Sequence, residues 1–216
     1  MTNSFGEFAD AKMFLCIGTN MTEAHPVAST FLKNALTKGA KLIVVDPRKQ
    51  PLAKLADIHC QIKVGSDIAF LNGLMNVIIN EDLYDKDFVE KRCDNFEAFK
   101  KKIMEYPVDR ASEISGVDAD MIRKVALMLA EIKPAMLCYT LGITEHTTGK
   151  DNVMSTANLQ LLLGNMGMPS AGVNPLRGQN NVQGACDMGA LPNVFPGYQK
   201  VMDPLASEKF AKAWGV

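Results

Sequence analysis

Short apolar runs set the fold class of this chain. Residues 12–17 (KMFLCI), 41–45 (KLIVV) and 135–141 (AMLCYTL) show no alternation of polar and apolar positions. Each therefore reads as a strand covered on both faces, the mark of a parallel sheet. Stretches with helical spacing lie between them, and strands alternating with helices build α/β folds with helices on both sides of the sheet. In residues 27–38 the spacing places Val27, Phe31, Leu32 and Leu36 on one face, and Gly39 follows. Residues 67–80 read as an amphipathic helix with Asp67 in its first turn, and 118–131 as a helix capped by Asp118. A short helix is expected over 51–56, a third strand over 59–64, charged helices over 87–92 and 96–104, and a last long helix over 151–166. From 169 to 198 the chain is rich in Gly, Pro, Asn and Gln without periodicity, a length of loop that is functional or incomplete.

With 216 residues, 47% of them hydrophobic, the chain can bury one substantial core or one domain and part of another. Its 23 basic and 24 acidic residues are spread along its length, so no basic stripe points to nucleic acid. The apolar runs fall short of the roughly 20 residues that cross a bilayer, and no membrane span is expected. The opening MTNSFGEFADAK lacks the positive start and apolar run of a secretion signal, so a cytoplasmic location is expected. The five cysteines contain no CxxC pair, against an iron-sulfur or structural zinc site in this segment. Cys16, Cys60 and Cys138, in strand-like contexts, read as small core residues.

In an open parallel sheet, ligands bind beyond the carboxyl ends of the strands. The first strand runs into Gly18-Thr19-Asn20, a tight turn that either lets backbone approach a bulky group or simply caps the next helix. The second ends at Asp46-Pro47-Arg48, where the carboxylate can take ribose hydroxyls and the guanidinium a phosphate or purine, or the two can form a surface ion pair. The third ends at Gly65-Ser66-Asp67, where Asp67 either caps a helix or accepts the paired N–H donors of a guanine. Together Asn20, Asp46 and Asp67 describe a nucleotide crevice. A fourth turn, Gly142-Ile143-Thr144-Glu145-His146-Thr147-Thr148-Gly149, brackets hydrogen-bonding side chains with glycines, and its lone histidine reads as a plain hydrogen-bonding group. No metal ligand set is expected. The stretch Asn174 to Gly189 (NPLRGQNNVQGACDMG) surrounds one arginine with amides and glycines, which suits a small planar anion.

The run NPLRGQNNVQGACDMGALP, with FPGYQ after it and GITEHTTG, GSDIAFLNGLMNVIINEDLYDKDFV and VVDPRK before it, closely resembles the catalytic subunits of formate dehydrogenases, in the molybdopterin oxidoreductase superfamily. The resemblance covers essentially the whole chain. It implies a Rossmann-like, three-layer α/β domain with a mainly parallel sheet over residues 1–179, and a loop-rich segment, 180–216, leading into a neighbouring α/β domain. It also implies oxidation of formate to carbon dioxide, or the reverse, at molybdenum or tungsten held by two molybdopterin guanine dinucleotides. On this resemblance Gly18, Asn20, Asp46, Arg48, Gly65 and Asp67 hold one dinucleotide, and Gly142, Thr144 and Glu145 contact the other. Arg177 orients formate, with Gly178 and Gln179 lining its pocket. Glu145 stands where relatives carry glutamine. The cysteine or selenocysteine on the metal and the [4Fe-4S] cluster are expected upstream of this segment. The remainder of the catalytic subunit and electron-acceptor subunits are therefore expected partners, and the isolated segment is expected to be inactive. Another enzyme of the superfamily, such as a nitrate reductase, and a non-catalytic assembly or scaffold module are the competing readings.

Overall fold

Parallel pairing gathers the apolar runs into one sheet. The computed structural model describes residues 1–216. Strands β1 (Met13–Ile17), β2 (Lys41–Val45), β3 (Ile58–Cys60), β4 (Ala135–Tyr139) and β5 (Gly172–Pro175) lie in the order β3-β2-β1-β4-β5. All four pairings are parallel, with Cys16 beside Val44 on one side and beside Cys138 on the other. β1 is thus the central strand, and every residue of it is buried. Alternate residues serve opposite faces. Met13, Leu15, Ile17, Ile43, Val45, Leu137 and Tyr139 join one hydrophobic cluster, while Phe14, Cys16, Leu42, Val44, Met136 and Cys138 join the other.

The helices in chain order are α1 (Met21–Ala24), α2 (Pro26–Thr37), α3 (Asp67–Asn80), α4 (Lys86–Arg92), α5 (Phe96–Ile103), α6 (Val108–Ser115), α7 (Ala119–Glu131), α8 (Leu141–Thr144) and α9 (Gly149–Leu162). A 3-10 helix, Phe5–Asp10, covers one face with α2, and Phe8 from it joins the second cluster. Helices α3, α7 and α9 supply Phe70, Leu74, Ile122, Val125 and Leu159 to the first cluster, on the other face. The three layers and the parallel sheet are those the sequence implies.

Several local expectations change. α3 is buried almost all round, from Asp67 to Ile79, because it packs on α6, α7 and α9 as well as towards the sheet, so it is a core helix and not an amphipathic surface one. Gly73 makes its approach to α6 possible, since a Cβ there would stand 2.5 Å from that of Ala111. α2 starts at Pro26, which suits a first helical position, and buries Ala28, Ser29, Leu32 and Ala35 while Val27 is exposed; its inner face is rotated from the expected one. The third strand is only Ile58–Cys60, and Val64 is exposed beyond it. α6 was not anticipated. Nor was β5, whose Gly-Val-Asn-Pro has no strand signature. It is held by β4 and by Thr2, whose N–H donates to Val173 O at 3.1 Å and whose Oγ accepts from Val173 N at 2.9 Å. Glu7 ties the same region, accepting from Asn3 Nδ2 and from the N–H of Ser4 and Ser170, and these bonds hold its carboxyl down to about 2. No helix is long and apolar enough to cross a membrane.

The chain divides into two units, Met1–Leu176, just described, and Arg177–Val216. Arg177, Gly178 and Gln179 open the second. It contains α10 (Val182–Asp187), the antiparallel pair β6 (Val194–Phe195) and β7 (Gln199–Lys200), and α11 (Pro204–Trp214). The stretch expected as loop thus carries a short helix and a hairpin. Asp203 caps α11 by accepting from Leu205 N at 3.0 Å. Phe195 stacks on Phe210 at 4.6 Å and meets Trp214 edge-on at 5.7 Å. Of the unit's apolar side chains, only those of Cys186 and Ala206 are buried.

Candidate functional site

The strand order reverses direction between β1 and β4, and at such a switch point the loops after the two strands part to leave a crevice. A cleft of about 370 Å³ lies there. Gly18, Asn20, Asp46, Arg48, Gly65, Asp67 and Gly142 all line it, so seven of the residues predicted from strand ends come together on one wall-to-wall surface. Thr144 and Glu145, at the end of α8, are exposed and do not line it.

Two glycines form the floor. Gly18, at φ +56°, and Gly142 approach so closely that a Cβ on Gly142 would stand 2.6 Å from Gly18 Cα, and one on Gly18 2.7 Å from Gly142 C. No side chain fits at either position. Gly142 N donates to Gly18 O at 3.2 Å, and Thr140 Oγ donates to the same oxygen at 2.8 Å, so the β1 and β4 turns are welded backbone to backbone.

The β2 turn is braced from below. Arg48 N donates to Asp46 Oδ1 at 2.8 Å, closing an Asx turn. His59 Nε2 donates to Asp46 O at 3.0 Å, and Gln61 Nε2 to Pro47 O at 2.8 Å. Buried Gln50 reaches across to the first turn, with Nε2 donating to Thr19 O at 2.8 Å. Asn20 is held at the mouth by Glu23, which accepts from its Nδ2 at 2.7 Å, and by Thr22, which donates to its Oδ1 at 2.8 Å.

Asp67 is the deepest carboxylate of the site, only 4% exposed. It occupies the first turn of α3, directly after the N-cap residue Ser66. Burial pushes its carboxyl above the ordinary range; its own backbone N–H and His146 oppose this, and Asp46 adds to it. His146 Nε2 lies 2.9 Å from Gly142 O and 3.9 Å from Asp67 Oδ2. A carbonyl only accepts, so this nitrogen carries the proton. The histidine is thus a hydrogen-bonding group, as expected, but on the cleft wall. Thr19 and Thr140 also line the cleft, and Gln61 and Gln50 brace it, none of which the sequence marks as a site residue. Thr19 and Thr140 sit beside the glycine turns already singled out, and position next to a strand-end glycine was the signal available for them.

A second cleft, about 290 Å³, lies between α4, α5 and α9, lined largely by Val89, Cys93, Phe96, Phe99, Leu161 and Leu162. It contains none of the predicted residues. Cys16, Cys60 and Cys138 are buried core thiols, and burial raises that of Cys60 to about 12. No group of three or more His, Cys, Asp or Glu side chains is placed to hold a metal ion.

The profile of the molybdopterin oxidoreductases matches residues 1–214. The chain belongs to the molybdopterin oxidoreductase family. Formate dehydrogenase H of Escherichia coli is 48% identical over all 216 residues, which is 30% of that protein. The alpha subunit of F420-dependent formate dehydrogenase 1 of Methanococcus maripaludis is 48% identical over 99% of the chain and 32% of its own length. The chain therefore spans about a third of the length of these two relatives. Among solved structures, acetylene hydratase from Pelobacter acetylenicus superposes with a TM-score of 0.70 at 40% identity, over 73% of this chain and 22% of that one.

A molybdopterin cofactor is what this family implies, and the cleft can be tested for it. Its walls offer two carboxylates to accept N–H or O–H groups, the guanidinium of Arg48, and two turns stripped of side chains for close backbone approach. Thr19 Oγ is buried there without a hydrogen-bond partner. This set of donors and acceptors fits the nucleoside end of a cofactor.

Proposed function

We propose that this chain forms the cofactor-gripping part of a formate dehydrogenase catalytic subunit. The observation that carries the reading is the convergence of the strand-end residues on one cleft at the switch point, in a chain 48% identical to formate dehydrogenases over its full length. Residues 1–179 are read as the dinucleotide-binding domain and 180–216 as the start of a crossing into a second α/β domain. Asp67 accepts from the guanine edge, since a carboxylate presents two acceptor oxygens suited to paired N–H donors and this one is buried in the cleft wall. Asp46 takes ribose hydroxyls through the oxygen not used in its Asx turn, and Arg48 faces phosphate or purine. Asn20, fixed by Glu23 and Thr22, and the glycines at 18, 65 and 142 let backbone close on the ligand. Gly142, Thr144 and Glu145 contact a second dinucleotide.

Two molybdopterin guanine dinucleotides carrying molybdenum or tungsten would supply the two-electron chemistry, with a [4Fe-4S] cluster and acceptor subunits taking the electrons onward. Arg177 orients formate, its planar fork binding a carboxylate through two parallel N–H groups, with Gly178 and Gln179 beside it. The work is in the cytoplasm. In the full-length subunit, Arg177→Lys keeps the charge and loses the fork. Formate-driven reduction of an artificial acceptor should then fall at least about tenfold while pterin content holds, one missing charged hydrogen bond being worth roughly 1.5–3 kcal/mol. Unchanged turnover would remove Arg177 from its role. Acetylene hydration, assayed beside it, separates this reading from a hydratase.

A further inference from the structure

The cleft between α4, α5 and α9 shares no lining residue with the one at the strand ends, and the reading above makes no use of it. Its floor is apolar and continuous with the core. Val89 and Leu162 belong to the first hydrophobic cluster, and Cys93, Phe96 and Phe99 are partly buried against it. The Tyr84 ring braces that of Phe96 at 5.1 Å. Burial and the charge of the neighbouring Asp94 push the Cys93 thiol up, so it is a neutral wall and not a nucleophile. The mouth is polar, formed by Arg92, Asp94, Asn95 and Asn158.

The polar groups at this mouth are uncommitted. On and just before α4, Lys86 pairs with Asp82 and Lys91 with Asp87, yet Arg92 at the end of the same helix makes no ion pair. Asn95, in the left-handed region at φ +59°, starts α5 without a side-chain hydrogen bond to it, so the first N–H groups of that helix lack a side-chain cap. A guanidinium and a helix N-terminus both attract an anion, and the floor of about 290 Å³ beside them has room for one ring or a short branched chain. Asp94 at the mouth and Glu97 in the first turn of α5 oppose a second negative charge on such a ligand. We propose that this cavity binds a compact apolar monocarboxylate, with its ring or alkyl chain against Phe96, Phe99 and Leu161 and its carboxylate towards Arg92 and the start of α5. Formate has no apolar part and gains nothing from such a floor, so the ligand is a different one and the site is separate from the strand-end cleft.

The probes are phenylacetate, phenethylamine and phenylmalonate, titrated separately into the isotopically labelled 216-residue chain at fixed ionic strength and followed by backbone amide shifts. Phenylacetate should shift Cys93, Asn95, Phe96 and Phe99 and leave Gly18 and Gly142 in place, with a dissociation constant of about 1 mM, an affinity within reach of a one-ring ligand. Phenethylamine carries the same ring with the opposite charge and should bind at least about tenfold more weakly, the difference made by a charge-assisted hydrogen bond. Phenylmalonate, with its second carboxylate, should bind no better than phenylacetate. Arg92 is exposed, so Arg92→Gln should keep the amide spectrum of the folded chain while weakening phenylacetate to the level of the amine. Shifts that do not saturate, equal binding of the acid and the amine, tighter binding of the dianion, or an Arg92→Gln chain that binds phenylacetate as wild type does would each overturn the proposal. So would phenylacetate shifts gathered at the strand-end cleft. No reading here involves nucleotide, cofactor or turnover, so the fate of the strand-end cleft does not decide the outcome.

Discussion

The cleft at the strand ends and the segment around Arg177 hold their residues by opposite means. In residues 1–176 the sheet is buried on both faces, and the site is made of backbone turns fused to it, Gly18 against Gly142 and Asp46 over His59. In residues 177–216 little apolar surface is buried, and side-chain bonds, Arg177 to Cys186 and Tyr198 to Asp187, tie the segment together. A site of backbone turns tolerates changes in side-chain chemistry and fails when backbone spacing changes. A site of side-chain bonds is the reverse.

The largest test of that contrast is core truncation. Phe70, fully buried in α3, should cost about 4 kcal/mol as Phe70→Ala, against about 1 kcal/mol for half-exposed Phe210→Ala, measured by chemical denaturation. Equal losses would erase the distinction between the units. Next comes Gly142→Ala, whose new Cβ has no room against Gly18, and the turns must separate. We expect a loss of roughly 3 kcal/mol with the cleft distorted; a variant as stable as wild type would show that the turns are free to move.

Asp67→Asn sharpens the electrostatic side. Because burial raises the Asp67 carboxyl in the folded state, the folded protein holds the proton more tightly than the unfolded chain. Its contribution to stability is therefore most favourable at low pH and is lost as pH rises from the ordinary aspartate range through the raised value. The asparagine variant should gain on wild type above that window and match it below; a constant difference across pH would refute the burial argument. Glu7→Gln gives the smallest effect and the opposite sign. Its depressed carboxyl stabilises above the ordinary glutamate range, and that contribution fades as pH falls towards about 2, so the variant's deficit should vanish in acid. Thermal melts across pH read both.

What was legible in the sequence follows the same division. β1, β2 and β4 announce themselves because a strand buried on both faces must be apolar throughout, and their carboxyl ends then point to Gly18, Asp46 and Gly142. β5 does not, since it is held by its neighbours and by Thr2, not by its composition. The inner face of α2 departs from its apolar spacing because small residues, Ala28, Ser29 and Ala35, are buried where close packing favours them over Val27. His59, Gln61 and Gln50 brace the cleft through carbonyl oxygens, and backbone acceptors leave no trace in residue order. In residues 177–216, loop composition concealed α10 and the hairpin, because polar bonds in place of apolar periodicity hold them.

The account turns on guanine recognition at the switch point. Guanosine monophosphate and adenosine monophosphate, titrated separately into the isotopically labelled chain, read it directly. Guanosine monophosphate should shift the backbone amides of Gly18, Asn20, Arg48, Gly65, Asp67 and Gly142, and Asp67→Asn should weaken it on the order of tenfold, the cost of one charged hydrogen bond. Equal shifts from both nucleotides, or shifts gathered around Cys93 and Phe99 instead, would contradict it.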